Sequence, residues 1–139
     1  MDYHKMILLV KLGREYGMER IKSLGLNDTE HQICSFLFFH DEVSQDTIAG
    51  ALMLDKTDVA KALSNLQKYK FIVRVQNPNN RRKNVIRLSL SGKESMNDSV
   101  NLHIDWLSQV MSCLSEHEKE SMDNIFEKIF SNAFQIRTK

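Results

Sequence analysis

Residues 44–90 read SQDTIAGALMLDKTDVAKALSNLQKYKFIVRVQNPNNRRKNVIRLSL, and the hydrophobic period changes inside this stretch. As far as Tyr69 it is helical. Ile48, Ala49 and Leu52 share one face over about 45–53, and Val59, Ala62, Leu63 and Leu66 share another over about 56–69. Ser44 and Asp55 stand where N-caps belong, and Leu54-Asp55 makes a tight turn between the two segments. From Phe71 onward the period is two. Phe71, Val73 and Val75 alternate with Ile72, Arg74 and Gln76; Ile86, Leu88 and Leu90 alternate with Val85, Arg87 and Ser89. Asn77-Pro78-Asn79-Asn80 lies between these runs, so the pattern predicts a β-hairpin.

Working outward, the flanks are helical. The first helix spans about 2–23, with Met6, Val10, Gly13, Gly17, Ile21 and Leu24 near one face. Its two glycines, four apart, suit a close packing partner. A second helix over about 28–40 carries Ile33, Phe36, Leu37, Phe38 and Phe39. Beyond the hairpin, Met96, Val100, His103, Leu107, Met111 and Leu114 mark a fifth helix, and about 116–134 a sixth. Asn27 to Glu30, Ser91 to Glu94 and Ser115 to Glu118 each match the capping box, in which each side chain satisfies the other's backbone N–H.

The composition fits one domain. The chain has 139 residues, 42% hydrophobic and 27% charged, with five glycines and a single proline, Pro78. This excludes collagen, low-complexity disorder and a many-turned β-sandwich. No apolar run approaches the roughly 18–20 residues of a membrane span, and Met6–Val10 is too short for a signal peptide. A cytoplasmic location is therefore expected, with Cys34 and Cys113 as buried, reduced thiols. The net charge of +1 conceals a strong asymmetry. Residues 1–54 carry −3, residues 55–93 carry +8 and residues 94–139 carry −4. A basic block between acidic flanks is the electrostatic footprint of a nucleic-acid-binding surface.

Three helices followed by a hairpin make a winged helix-turn-helix. In that arrangement the second helix of the pair lies in the major groove and the first braces it. The outward face of the segment 56–69 carries Lys56, Thr57, Asp58, Lys61, Ser64, Asn65 and Lys68, and the hairpin tip carries Arg81-Arg82-Lys83. From about Leu26 to Gly92 the chain resembles the MarR family of bacterial transcription regulators. The matching residues are Leu26-Asn27, Val43-Ser44-Gln45, Ile48-Ala49, Leu54-Asp55-Lys56-Thr57-Asp58-Val59 and Leu66-Gln67-Lys68. The segment Asn77-Pro78-Asn79-Asn80-Arg81-Arg82 resembles the family's wing signature, and Leu88-Ser89 followed by Gly92 resembles its closing pattern.

The resemblance implies a mostly α (α+β) fold in a single domain. A winged-helix lobe over about 26–92, with a two-stranded β wing, stands beside terminal helices, about 1–24 and 93–139, that form a dimerisation arm. It implies a sequence-specific double-stranded DNA-binding regulator, a ligand-responsive repressor acting as a homodimer on a pseudo-palindromic operator. The alternative is a winged-helix protein–protein interaction module that has lost DNA binding. Two positions depart from the family pattern. Asn80 stands where an Asp usually orients the wing Arg, which weakens the expected bond to Arg82. Lys70 stands where Gly usually ends the recognition helix, at a cost of about 1 kcal/mol or more for a left-handed cap.

Chemistry assigns roles to residues. Lys56, Thr57, Lys61 and Asn65 are candidate groove contacts, since Lys meets guanine O6/N7 or phosphate. Ser44 and Gln45 can bond phosphate beside a helix N-terminus. Arg82 suits the minor groove, with Arg81 and Lys83 on phosphate. Asp58 either accepts from cytosine N4 or, at N3 of the helix, favours the N-terminal dipole. The resemblance implies that the first, fifth and sixth helices build a dimer, with Met6, Val10, Leu107 and Met111 among its contacts; on the last helix Ile125, Phe126, Ile129, Phe130 and Phe134 make an apolar face too large for a small DNA lobe to cover alone. The family's effectors are small aromatic anions, and Tyr3, Tyr16, Phe36, Phe39, His103 and Trp106 could line a cavity for one. The histidines, His4, His31, His40, His103 and His117, form no H-x-x-x-H or H-E-x-x-H pair. His40-Asp41-Glu42 is a local ligand cluster, but neither a metal nor another cofactor is expected. Cys34 lies within an apolar helix face, where a thiol is unreactive. No G-x-S-x-G, P-loop or Gly-rich nucleotide turn supports an enzyme.

Overall fold

The computed structural model describes residues 1–77 and 79–138, and their side chains except at 81–83 and 138. The chain forms two compact units, Met1–His103 and Ile104–Lys139. The helices are α1 (Tyr3–Tyr16), α2 (Met18–Ser23), α3 (Asp28–Phe39), α4 (Gln45–Leu52), α5 (Lys56–Lys68), α6 (Leu90–Val110) and α7 (Glu116–Thr138). The strands are β1 (Val43–Ser44), β2 (Ile72–Asn77) and β3 (Asn80–Leu88). No helix among the described residues is long and apolar enough to cross a membrane.

In the first unit α3, α4 and α5 bury faces that their periods marked, but β2 turns Ile72 inward and leaves Phe71, Val73 and Val75 only partly buried, the reverse of the face expected from the alternation. Ile33, Cys34 and Leu37 come from α3, Ile48 and Ala49 from α4, and Val59, Ala62, Leu63 and Leu66 from α5. Ile72, Ile86 and Leu88 enter from the sheet, and Met96 and Val100 from α6. Leu63 is fully buried; truncating such a side chain to Ala costs about 2–5 kcal/mol, transfer and cavity together.

The sheet has three strands rather than two. β1 joins the outer side of β3, pairing Val43 with Ile86 and Ser44 with Val85, so the strand order is β1-β3-β2. Two residues are too few for an alternation to show, which is why the sequence pattern did not mark β1. Its effect is to anchor the entrance of α4 to the base of the hairpin.

Several boundaries differ from the sequence reading. The first helix is interrupted at Gly17, whose φ of −112° and ψ of 11° leave the helical region. A Cβ on Gly17 would lie 3.5 Å from Cε1 of the His103 ring, an ordinary van der Waals distance, so space alone does not demand glycine there. Leu90 does not continue the β3 alternation. It opens α6 and is 82% exposed. The cap of α6 is also displaced from Ser91: the Ser89 hydroxyl accepts from the Gly92 N–H at 2.9 Å, while Ser91 Oγ donates to the Lys70 carbonyl at 3.0 Å. Cys113 is exposed, so only Cys34 is a buried thiol. Burial, with the nearby Glu30 charge, pushes the Cys34 thiol up to about 12, which keeps it protonated and inert.

The capping boxes at Asn27 and Ser115 form as their sequences require. Asn27 Oδ1 accepts from the Glu30 N–H at 2.8 Å, and Glu30 Oε1 accepts from the Asn27 N–H at 3.1 Å. In the second unit, Ser115 Oγ accepts from the Glu118 N–H at 3.1 Å and Glu118 Oε1 from the Ser115 N–H at 3.0 Å. The bond from the Ser115 N–H chiefly holds the Glu118 carboxyl below its ordinary pKa. A short 3-10 turn, Met111–Cys113, precedes this cap.

Candidate nucleic-acid interface

α4 and α5 meet through a tight turn in which Met53 takes the left-handed conformation, φ 54°. The Leu54 N–H then returns to the Ala49 carbonyl at 3.0 Å. Asp55 caps the next helix, its Oδ1 accepting from the Thr57 N–H at 2.8 Å and the Asp58 N–H at 3.4 Å. Those bonds orient the first turn of α5, and Lys56, Thr57, Asp58 and Lys61 stand exposed there. The opposite face, Val59, Leu63 and Leu66, is fully buried. The helix thus packs its apolar side into the core while it offers a polar stripe to solvent.

The far end of α5 is held equally firmly. Lys70 is left-handed, φ 62°, at the position where the sequence put a cap without glycine. The Phe71 N–H reaches the Leu66 carbonyl at 2.9 Å and the Lys70 N–H the Gln67 carbonyl at 3.1 Å, the paired bonds of a Schellman ending. The Lys70 carbonyl then accepts from the hydroxyls of Ser89 at 2.6 Å and Ser91 at 3.0 Å. Gly92 packs against the next residue, and a Cβ there would fall 2.1 Å from the Phe71 carbonyl oxygen. The Leu88-Ser89 and Gly92 pattern is therefore a strap from the start of α6 to the end of α5.

β2 and β3 pair antiparallel from Ile72 with Leu88 to Gln76 with Asn84, and the register shifts between Gln76 and Asn77. Arg81, Arg82 and Lys83 lie in the first half of β3 rather than at the hairpin tip. Their side chains, and with them the expected Asn80–Arg82 bond, fall outside the described residues. Arg74, a cation that no motif marked, projects from β2 and donates through Nε to Gln67 Oε1 on α5 at 3.0 Å. It adds charge beside the recognition helix. Only its place in the basic block hinted at this.

Ser44 Oγ caps α4, accepting from the Thr47 N–H at 3.1 Å, and Gln45 is half-buried beside it. Lys56 Nζ lies 3.6 Å from Asp46 Oδ1. Asn65 is half-buried, and its Nδ2 donates to Glu30 Oε2 at 3.2 Å. Arg87 and Lys93 pair with Glu42 and Asp41 at 3.8 and 3.9 Å, so part of the basic block is locally neutralised. These exposed pairs are worth little in energy.

The effector candidates do not converge on one cavity in the first unit. Tyr16 borders a shallow cleft with Glu19, Arg20 and Leu102. His103 borders another, of about 480 Å³, with Arg14, Lys22, Asp28 and His31. Phe36 stacks on His40 with centroids 4.2 Å apart, Phe39 is exposed, and Tyr3 is exposed at the start of α1. Trp106 belongs to the second unit. Among the described residues no cluster of three or more ligating side chains could hold a metal ion, the His40-Asp41-Glu42 run included.

Of the expected dimer contacts, Met6 and Val10 are exposed on α1, which buries no residue. Leu107, Ile125, Phe126, Ile129 and Phe130 are exposed in the second unit, and Met111 and Phe134 are partly so.

A helix pair capped in this way, with a three-stranded wing and long terminal helices, matches solved structures over nearly its whole length. The chain superposes on Staphylococcus aureus MepR in its DNA-binding conformation with a TM-score of 0.83, covering 96% of this chain and 99% of that one at 22% identity. MarR gives a TM-score of 0.74 over 99% of this chain and 95% of MarR, at 19% identity. The chain has the MarR-type winged-helix fold. No protein-family model matches its sequence. Sequence relatives of this MarR-type chain include the HTH-type transcriptional regulator BilQ of Clostridium symbiosum, 26% identical over 86 residues. That match spans 62% of this chain and 60% of BilQ, less than two thirds of the relative's length. The uncharacterized HTH-type transcriptional regulator YkoM of Bacillus subtilis is 24% identical over 114 residues, 82% of this chain and 74% of YkoM.

Proposed function

We propose that the chain is a sequence-specific double-stranded DNA-binding transcriptional regulator that works as a homodimer. The observation that carries the reading is α5: an exposed stripe of Lys56, Thr57 and Lys61 stands opposite a fully buried apolar face, within a segment of net charge +8. Such a helix can enter a major groove without disturbing its own core. Ser44 and Gln45 at the head of α4, and Arg81, Arg82 and Lys83 in the wing, supply the flanking phosphate and minor-groove contacts in this reading. One related MepR structure is described as a MepR–DNA complex, which supports the same use of the fold. The regulator acts as a repressor on a pseudo-palindromic operator and is released by a small aromatic or anionic effector.

The test is binding to the DNA upstream of the chain's own gene, measured against salt. Affinity is expected to fall steeply as salt rises, from counterion release. Lys61→Ala and Thr57→Ala are each expected to cost about 1–3 kcal/mol of preference for that DNA over random duplex. A wild type that binds no duplex at low salt overturns the reading and leaves a protein-interaction module.

A further inference from the structure

We infer that Asn65 is a positioning residue whose amide, held by the buried Glu30 carboxylate, sets the rotation of the recognition helix about its own axis. This rests on the DNA-binding reading of α5. Glu30 and Glu118 both sit at N3 of a capping box, and in both one oxygen accepts from the backbone N–H of the cap residue, at 3.1 and 3.0 Å. Glu118 is exposed, whereas Glu30 is only 3% exposed. Capping therefore does not require the carboxyl to be buried. What Glu30 has in addition is a second bond: its Oε2 accepts from Asn65 Nδ2 at 3.2 Å, across 35 residues of sequence. Burying a carboxyl is costly unless its oxygens are satisfied. Here one oxygen is committed to α3 and the other to α5.

The position of Asn65 gives this bond its consequence. Thr57, Lys61 and Asn65 are spaced by four residues and lie along one stripe of the helix. The first two are exposed, while Asn65 is half-buried and turned to α3. Side-chain tips stand about 5–6 Å from a helix axis, so a rotation of about 20° moves them by about 2 Å. That displacement would break the Asn65–Glu30 bond and would also misplace Thr57 and Lys61 against base edges, where hydrogen bonds lose strength steeply with distance and angle. A carboxylate can only accept, so the amide nitrogen must face it. The pair therefore has a polarity that exchange of donor and acceptor can test.

Asn65→Asp sets two acceptors against each other, and Glu30→Gln in the same chain restores a donor to the pair. Two measurements are made on the full chain. One is amide hydrogen exchange over α5 without DNA. The other is preference for duplexes that the wild type selects from a random-sequence pool over unselected duplex. Asn65→Asp is expected to speed exchange across α5 and to lower the preference about ten-fold, the scale of one lost charge-assisted bond. The double variant Glu30→Gln with Asn65→Asp is expected to recover both. Recovered exchange with unrecovered preference would mean that Asn65 itself reads DNA and would overturn the positioning role. Exchange unaffected by Asn65→Asp would overturn the clamp. A wild type that selects no sequence overturns the DNA reading instead. The exchange measurements then decide the clamp alone: loss in Asn65→Asp with recovery in the double variant supports it, and any other result rejects it.

Discussion

His31 borders a cleft lined by residues of α1, α2, α3 and α6. Its Nε2 is within 2.9 Å of Ser99 Oγ on α6, its ring centroid is 6.1 Å from that of His103, and Arg14, Lys22 and Asp28 border the same cleft. Burial, and then the neighbouring His103, hold its pKa below the ordinary 6.5, with Asp28 pulling the other way. In the unfolded chain the ordinary value returns. As pH falls below about 6.5, the unfolded chain therefore takes up a proton that the folded chain refuses. Stability present above the unfolded value is lost as pH falls through the folded one. The melting temperature is expected to drop between about pH 7 and pH 5.5, and the drop to shrink in His31→Gln, which keeps a partner for Ser99. An identical slope in both proteins would place the titration elsewhere. The neighbouring Glu30 shows how far one residue is legible. Its capping bond follows from spacing to Asn27, but its burial and its bond to Asn65 depend on where α5 comes to lie.

At the scale of the element, α5 is defined by its two ends. Asp55 was readable because an N-cap is a local bond between near neighbours. The strap at the other end was readable only as a pattern of residues, since Ser89, Ser91 and Gly92 reach Lys70 and Phe71 across about 20 residues. Two variants probe it. Gly92→Ala is expected to destabilise the chain by about 3 kcal/mol, because the Cβ would meet a backbone carbonyl that cannot move aside. Lys70→Gly is expected to raise the urea midpoint by about 0.5 kcal/mol equivalent at an unchanged m-value. Relief of the left-handed conformation outweighs the added freedom of the unfolded chain. A lower midpoint for Lys70→Gly would show that the lysine side chain contributes more than its backbone costs.

At the scale of the molecule, the apolar surface left open bears on assembly. α1 exposes Tyr3, Met6, Ile7, Leu8, Leu9, Val10 and Leu12, and α7 exposes Ile125, Phe126, Ile129 and Phe130. Contiguous apolar faces of this extent are expected to be covered in solution. Under the proposed homodimer, sedimentation equilibrium should give twice the chain mass at micromolar concentration. Phe126→Glu is expected to weaken association about 100-fold, because a buried unpaired carboxylate is costly to desolvate. A wild type that sediments as a stable monomer would overturn the dimer.

The features legible in the sequence are local ones. The helix periods of α3 to α5, the caps at Asn27, Asp55 and Ser115, the change to period two at Phe71 and the charge block all depend on residues within a few positions of one another. Other features arise only when segments distant in sequence pack together. β1 exists because β3 has a free edge beside it. Leu90 leaves the strand alternation to start α6, and Asn65 turns from the polar stripe to meet Glu30. Each of these outcomes depends on a partner distant in sequence, and a hydrophobic period records only which face is buried, not what lies against it.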